Sequence, residues 1–360
     1  MGMVRHAVIA LIAVAGCLPN GSLKRDGSVV PANLGDGWEI ATPESVGLNP
    51  AALASLHSDL LSEDRNLGTI AVLIVKDGKL VWEAYVRDPA DRDRLHHIES
   101  VTKGMTSLAF GVARDQGLFP SLDAPIEDFI PDAVAGLGPQ KAAITLDDLL
   151  TMRSGLAFDN RAFAIEIEID RPANPLRYML MKPLTTTPGT TFDYHDVDPQ
   201  TLVYILERAL GESEEAWVKR RLFAPLGISD YLWEHGSDGV TMAAHGLYLR
   251  ARDMAKFGQL LLDGGRWQGT QVVSQDWITN ATSPHVNPDP QHPQDAHRFG
   301  YYFWTMPPNV SKGAYDTIGA GGQIILVIPE KQMVIVQVAL PDASVEQTQW
   351  HDLDFLMKIF

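Results

Sequence analysis

A mixed α/β fold of the α+β kind is expected for this chain. One antiparallel sheet is assembled from both chain termini and flanked by helices, with a mainly helical insertion between the two contributions. Three observations lead there. Runs rich in β-branched and aromatic residues, separated by turn signals, occur near the start (69–85) and again near the end (300–339). Between about 120 and 290 helical patterns and long loops dominate. Where the first strands give way to the first long helix, a serine and a lysine stand three residues apart, Ser100 and Lys103, at the junction where a cleft would form.

The beginning of the chain reads as a targeting segment. Arg5 and His6 precede the apolar run Ala7 to Gly16. A helix that spans a bilayer takes about 20 apolar residues, so this run is too short and fits the centre of a secretory signal. It ends at Cys17, the only cysteine, so no internal disulfide can form. Val14-Ala15-Gly16-Cys17 resembles the lipobox of bacterial lipoproteins, in which the cysteine is lipidated and becomes the new N-terminus. The expectation is a lipoprotein signal peptide over 1–17, export from the bacterial cytoplasm, and a lipid anchor at Cys17 on the periplasmic side. The alternative is a plain signal peptide cut nearby. Residues 18–37 are polar, with Gly, Pro, Ser and Asn, and read as a flexible tether.

The folded domain is expected over 38–360, starting at Trp38. Asn49 caps and Pro50 opens a helix over Ala51 to Ser62. Strands Thr69 to Val75 and Lys79 to Tyr85 follow, joined by the turn Lys76-Asp77-Gly78. A short extended stretch, Leu95 to Glu99, leads into a helix from Val101 to Gly117. Further helices are expected over Thr145 to Met152, Asp198 to Leu210, Glu214 to Leu222 and Ala251 to Leu262, the last closed by Asp263-Gly264-Gly265. The end returns to strands over Gly300 to Thr305, Gly322 to Ile328 and Met333 to Ala339, then to a final helix from about Val345 to Phe360. Residues 38–98 and 299–360 would form the sheet subdomain, and 99–298 the mainly helical region. The formal net charge of −16 argues against nucleic acid or an anionic membrane surface as partner.

Ser100 and Lys103 carry the chemistry. Positions i and i+3 share a helix face, with Cβ atoms about 5–6 Å apart, so the amine can lie beside the hydroxyl. Val101, Met105, Leu108, Ala109 and Val112 follow helical spacing, and the lysine falls near the edge of that apolar face. Burial lowers a lysine's proton affinity and makes it a base near neutral pH. The serine's own N–H, unpaired in the first turn, can point at a developing oxyanion. Such a site wants a second proton-relay group and a second oxyanion donor. Tyr194, on a loop after the turn Pro188-Gly189-Thr190, is the candidate for the first. The glycine-rich stretch Thr317 to Gln323 is the candidate for the second. His285, His292 and His297 lie in a Pro/Asp-rich loop without the short fixed spacing of a zinc site, so no metal is expected. The chain has no G-x-S-x-G and no H-E-x-x-H.

Together these residues resemble the serine β-lactamase and penicillin-binding protein family, nearest its class C-like and esterase branch, which includes the 6-aminohexanoate-oligomer hydrolases. Ser100-Val101-Thr102-Lys103 matches the family's S-x-x-K, Tyr194-His195-Asp196 its Y-x-N box, and Thr317-Ile318-Gly319 its K-T-G or H-x-G box. The stretches Ser121 to Pro125, Leu149 to Leu156 and Ala251 to Gly258 are family-like too, and the resemblance covers about residues 38–345. It implies a β-lactamase/transpeptidase-like fold and a hydrolase working through an acyl-enzyme without a cofactor. Ser100 would be the nucleophile, Lys103 and Tyr194 would share the proton transfer, and the N–H groups of Ser100 and Ala320 would form the oxyanion hole. Asp196, Thr317, Ile318 and Gly319 would meet the substrate.

Two departures matter. Asp196 replaces the usual Asn, and a carboxylate near Lys103 would favour the ammonium and shift the work to Tyr194. Thr317 replaces the Lys or His that helps bind a substrate carboxylate, a charge-assisted contact worth about 1.5–3 kcal/mol. Small neutral esters or amides are therefore the expected substrates. β-Lactamase or D-Ala-D-Ala carboxypeptidase activity, or a non-hydrolytic penicillin-recognising sensor, is the alternative. Tyr248, Tyr301 and Trp304 either line the acyl pocket or belong to the core.

Overall fold

The computed structural model describes residues 31–61, 68–289, 297–307 and 312–340. The expected signal peptide with Cys17, most of the tether, His292 and the expected last helix lie outside the described residues.

The strands are β1 (Glu39–Ile40), β2 (Thr69–Lys76), β3 (Lys79–Tyr85), β4 (His96–His97), β5 (Leu232–Trp233), β6 (Leu247–Leu249), β7 (Arg266–Trp267), β8 (Thr270–Gln271), β9 (Arg298–Phe299), β10 (Trp304–Thr305), β11 (Tyr315–Gly319), β12 (Gln323–Ile328) and β13 (Met333–Ala339). Eight of them form one sheet in the order β1-β3-β2-β13-β12-β11-β10-β9. An early and a late segment of the chain meet at its centre, where β2 and β13 pair antiparallel with Ile74 opposite Ile335. Asp77 and Gly78 both take positive φ, 52° and 75°, as a two-residue hairpin turn between β2 and β3 requires.

The central strands are buried on both faces and read as unbroken apolar runs for that reason. Helix α1 (Pro50–Leu61) covers one face with Leu53, Leu56 and Leu60 against Val72, Ile74, Val81 and Ile335. The helix Ala251–Leu262 covers the other face. It lies so close that a Cβ on Gly258 would come within 2.4 Å of Val334 Cγ1. Helix α2 (Thr102–Asp115) runs through the middle of the molecule, and every residue from Thr102 to Ala113 is buried. A helix buried all round stands between layers rather than on a surface. It sets Lys103 inside the protein while Ser100, just before it, stays half-buried at the mouth.

Two expectations are corrected. Of the strand expected over Gly300 to Thr305 only β10 is extended, and it pairs back onto β9, just before that range, through a turn at Tyr302 (φ 68°). The Tyr302 hydroxyl donates to Leu149 O and the Tyr301 hydroxyl to Asp147 Oδ1, which pulls the chain out of the sheet. The helix expected over Glu214 to Leu222 is an α-turn, Glu214–Val218, followed by a π-helical segment, Lys219–Phe223. Pro225, immediately beyond, lacks the N–H that would continue regular α-pairing. A small sheet, β4-β6-β5, pairs the expected extended stretch around His96–His97 with β5 and β6, which the sequence does not announce because strands of two or three residues show no alternation.

Candidate active site

Ser100 occupies the middle of a 3-10 turn, Glu99–Val101, that runs directly into α2. The turn starts from an uncommon conformation, since Glu99 has a φ of 52°. Its neighbours hold it there. The Glu99 carboxylate meets His97 Nδ1 at 2.8 Å, and the Thr102 hydroxyl donates to Glu99 O at 2.7 Å. Strand β11 presses on the turn from the side. A Cβ on Gly319 would lie 2.5 Å from Ile98 O and 2.8 Å from Glu99 Cβ, so only glycine fits. Ala320 follows at once and opens the 3-10 turn Ala320–Gly322, half-buried beside the nucleophile turn.

Lys103 is 1% exposed. Its Nζ donates to Ser100 Oγ at 2.8 Å and to Ala244 O at 2.9 Å, and forms an ion pair with Asp196 Oδ1 at 2.7 Å. It also lies 5.1 Å from the centroid of the Tyr194 ring. The three neighbouring oxygens match the three protons of an ammonium. Burial works against that charge, but Asp196 and then Tyr194 outweigh it, and the Lys103 pKa is raised above its ordinary value. Asp196 is the counterpart. Burial pushes its carboxyl up, the charges of Lys103 and His245 pull it down, and the net shift is downward.

The backbone around Asp196 explains how it reaches the lysine. Asp196 holds the N-cap position of the helix Val197–Leu210 but makes no capping bond with its side chain. Its carboxylate turns to Lys103 instead, while the positive end of the helix favours the charge it carries. Asn160 Oδ1 accepts its backbone N–H at 3.0 Å and fixes the loop. Two residues earlier, Tyr194 stacks on Trp304, with centroids 5.8 Å apart and planes 28° apart, and meets Phe299 edge-on.

The third expected box divides between two faces. Thr317 is buried and faces α2, where a Cβ on Gly104 would be 3.5 Å from its Oγ1. Ile318, the next residue in a strand, points to the opposite face and packs against the apolar cluster under α1. The Ile318 side chain is therefore turned away from Ser100, so any contact it makes with substrate is through its backbone. Of the three aromatic residues with two readings, Tyr301 is core, stacked between Trp277 and His285. Trp304 backs Tyr194. Tyr248 stacks on His97, with centroids 4.5 Å apart, at the edge of the site. His285 is engaged by Tyr301 and by Asn280 O at 2.8 Å.

Sequence reasoning missed Ala244, His97, His245, Glu168 and Glu234. His245 Nε2 lies 2.6 Å from Glu168 Oε1, and the ring adds its charge to the field on Asp196. These residues are far apart in the chain, and only the β4–β6 pairing and the folded loops bring them together. A cavity of about 360 Å³ adjoins them, with Glu168, Arg171, Glu234 and Met242 in its wall.

A family model described as Beta-lactamase matches residues 57–340. A curated relative, the 6-aminohexanoate-dimer hydrolase of Paenarthrobacter ureafaciens, is 26% identical over 347 residues, covering 91% of this chain and 87% of that protein. Among solved structures, a family VIII carboxylesterase superposes with a TM-score of 0.65 at 16% identity, covering 84% of this chain and 98% of the other. A class C beta-lactamase from Rhodobacter sphaeroides superposes with a TM-score of 0.64 at 17% identity, over 86% and 99%. At these identities the two structures bear on the fold, which they share.

Proposed function

The chain belongs to the Beta-lactamase family, a family of amide and ester hydrolases, and from that premise we propose that it cleaves small neutral esters or amides through an acyl-enzyme on Ser100. The observation that carries the reading is the buried Lys103 ammonium, 2.8 Å from Ser100 Oγ and 2.7 Å from Asp196.

Ser100 Oγ attacks the acyl carbon. The N–H groups of Ser100 and Ala320 receive the carbonyl oxygen as it turns negative. Lys103 keeps its protons, so Tyr194 acts as the relay. Its oxygen takes the proton leaving Oγ while its own phenolic proton passes to the leaving oxygen or nitrogen. The bond to the leaving group breaks and the acyl group stays on Oγ. Water then attacks the acyl carbon, its proton goes to Tyr194, the phenolic proton returns to Oγ, and the free acid departs. The ammonium stabilises the oxyanionic character of both oxygens throughout.

Substrate choice follows from charge. Thr317 is neutral where the family's third box supplies a cation, and Arg171 in the adjoining cavity shares its wall with Glu168 and Glu234. A free carboxylate on the substrate gains little here, so aryl esters should be better substrates than β-lactams. The test is kcat/KM for p-nitrophenyl acetate and butyrate against nitrocefin. A nitrocefin value equal to or above the ester values would refute the substrate assignment. We further propose that the enzyme works outside the bacterial cytoplasm, held to a membrane by lipid on Cys17, on the strength of the apolar run and the lipobox-like Val14-Ala15-Gly16-Cys17.

A further inference from the structure

We propose that His97, Glu234 and His245 form a transition-metal site, of the kind that takes Zn²⁺, on the flank of the active site. Each offers one ligand atom, and the three atoms lie within 4.8 Å of one another. His97 is the last residue of β4, Glu234 follows β5, and His245 stands two residues before β6, so the three-stranded sheet holds all three in register. Zinc bonds of about 2.0–2.2 Å place neighbouring ligand atoms of a tetrahedron about 3.4 Å apart. Side-chain rotations of about 1 Å close the set to that size. Glu234 is exposed and its Oε1 accepts from the Tyr248 hydroxyl at 2.9 Å, which leaves Oε2 to ligate, while His97 must turn its Nε2 off the carbonyl oxygen of His245.

The second observation is the outer partners of the two imidazoles. His97 Nδ1 sits 2.8 Å from Glu99 Oε1, and His245 Nε2 sits 2.6 Å from Glu168 Oε1. A metal-binding histidine commonly donates its other ring N–H to such a carboxylate, which fixes the tautomer and strengthens the ligating nitrogen. Here both histidines already carry that partner, so the nitrogens left to ligate are Nδ1 of His245 and, once it gives up its hydrogen bond to the carbonyl oxygen of His245, Nε2 of His97. The set of two nitrogens and one carboxylate suits zinc and its neighbours rather than calcium or magnesium, which prefer all-oxygen shells. Glu99, Glu168 and Glu234 bring three negative charges to a dication, and the adjoining Lys103 is already matched by Asp196. Glu168 and Glu234 also face the cavity of about 360 Å³, which gives an ion a route in. The site is independent of how the substrate is assigned.

The test uses the full chain, stripped with a chelator and titrated with Zn²⁺ by calorimetry. Saturable binding is expected, weakened at least about tenfold by Glu234→Gln and by His97→Gln. Glu234 is on the surface, so its variant isolates ligation from folding. Co²⁺ serves as a second probe, and its intense four-coordinate visible bands should be lost in Glu234→Gln. Absence of saturable Zn²⁺ binding, or binding that neither variant weakens, would overturn the site. The variants rather than stoichiometry decide, because other histidines of the chain also bind zinc in principle.

Discussion

Replacing Asp196 with Asn isolates the charge that governs the proton relay. The carboxylate lies 2.7 Å from Lys103 Nζ, and both groups are nearly inaccessible to water. Two unit charges at that distance attract by about 6 kcal/mol at an effective dielectric of about 20. That is several times the about 1.4 kcal/mol that moves a titration by one pH unit. Burial opposes the lysine's charge, so without its partner the ammonium is left with desolvation acting against it. Asp196→Asn should therefore lower the Lys103 pKa until the neutral amine can serve as base beside Tyr194, and so move the general-base limb of the kcat/KM profile to lower pH by at least about one unit. The new amide can donate to a substrate carbonyl, so amide or β-lactam turnover should rise from its baseline. Tyr194→Phe should cost about 100-fold or more, because it deletes the relay rather than retuning it. The assay is a pH–rate profile of ester hydrolysis for wild type and both variants. Coincident wild-type and Asp196→Asn profiles, or a Tyr194→Phe enzyme more active than Asp196→Asn, would refute the reasoning.

Three further outcomes are expected. Gly319→Ala should destabilise the protein by about 1–3 kcal/mol and lower kcat/KM by about 100-fold, since its methyl meets the backbone at Ile98 2.5 Å away and displaces the turn that carries Ser100; activity within about twofold of wild type would show that β11 and the turn are not so tightly coupled. Burial pushes the Glu214 carboxyl from 4.5 up to about 8, so the folded state holds a proton that the unfolded chain releases, and stability falls as pH rises through that window. Relative to Glu214→Gln, the wild type should then lose about 3 kcal/mol between about pH 5.5 and about pH 7.5 in urea melts, and parallel pH dependences would mean that Glu214 is not buried as an acid. Cys17→Ser should release the protein from membranes with its specific activity intact, and unchanged fractionation would leave an ordinary signal peptide in place of the lipobox.

Long, strongly patterned segments were legible in the sequence. β2, β3, β12, β13 and the helix Ala251–Leu262 announce themselves because each is a single run whose period or apolar density matches its surroundings. The serine and lysine could be placed on one face because i and i+3 on a helix leave little freedom, and the structure puts their polar atoms 2.8 Å apart. Asp196 was foreseen as a neighbour of Lys103 only through the family's box order, and its position on an N-cap with no capping bond has no sequence signature. The box names three consecutive residues, whereas a strand sends alternate side chains to opposite faces, so the side chains of Thr317 and Ile318 cannot share the site. His97, Glu168, Glu234 and His245 leave no signal for a different reason: very short strands, and contacts such as His97 to His245 and Glu168 to His245 between distant positions, leave no periodicity to read. The kink at Tyr301 and Tyr302 was hidden because their hydroxyl partners, Asp147 and Leu149, lie in the helical half of the chain.

The central claim is that Ser100 is the nucleophile of an acyl-enzyme. Intact-protein mass spectrometry after treatment with a fluorophosphonate tests it most directly. Wild type should carry a single adduct that maps to Ser100, and Ser100→Ala, which removes one half-buried oxygen and leaves the fold in place, should carry none. An adduct of the same stoichiometry on Ser100→Ala would place the nucleophile on another residue and contradict the account.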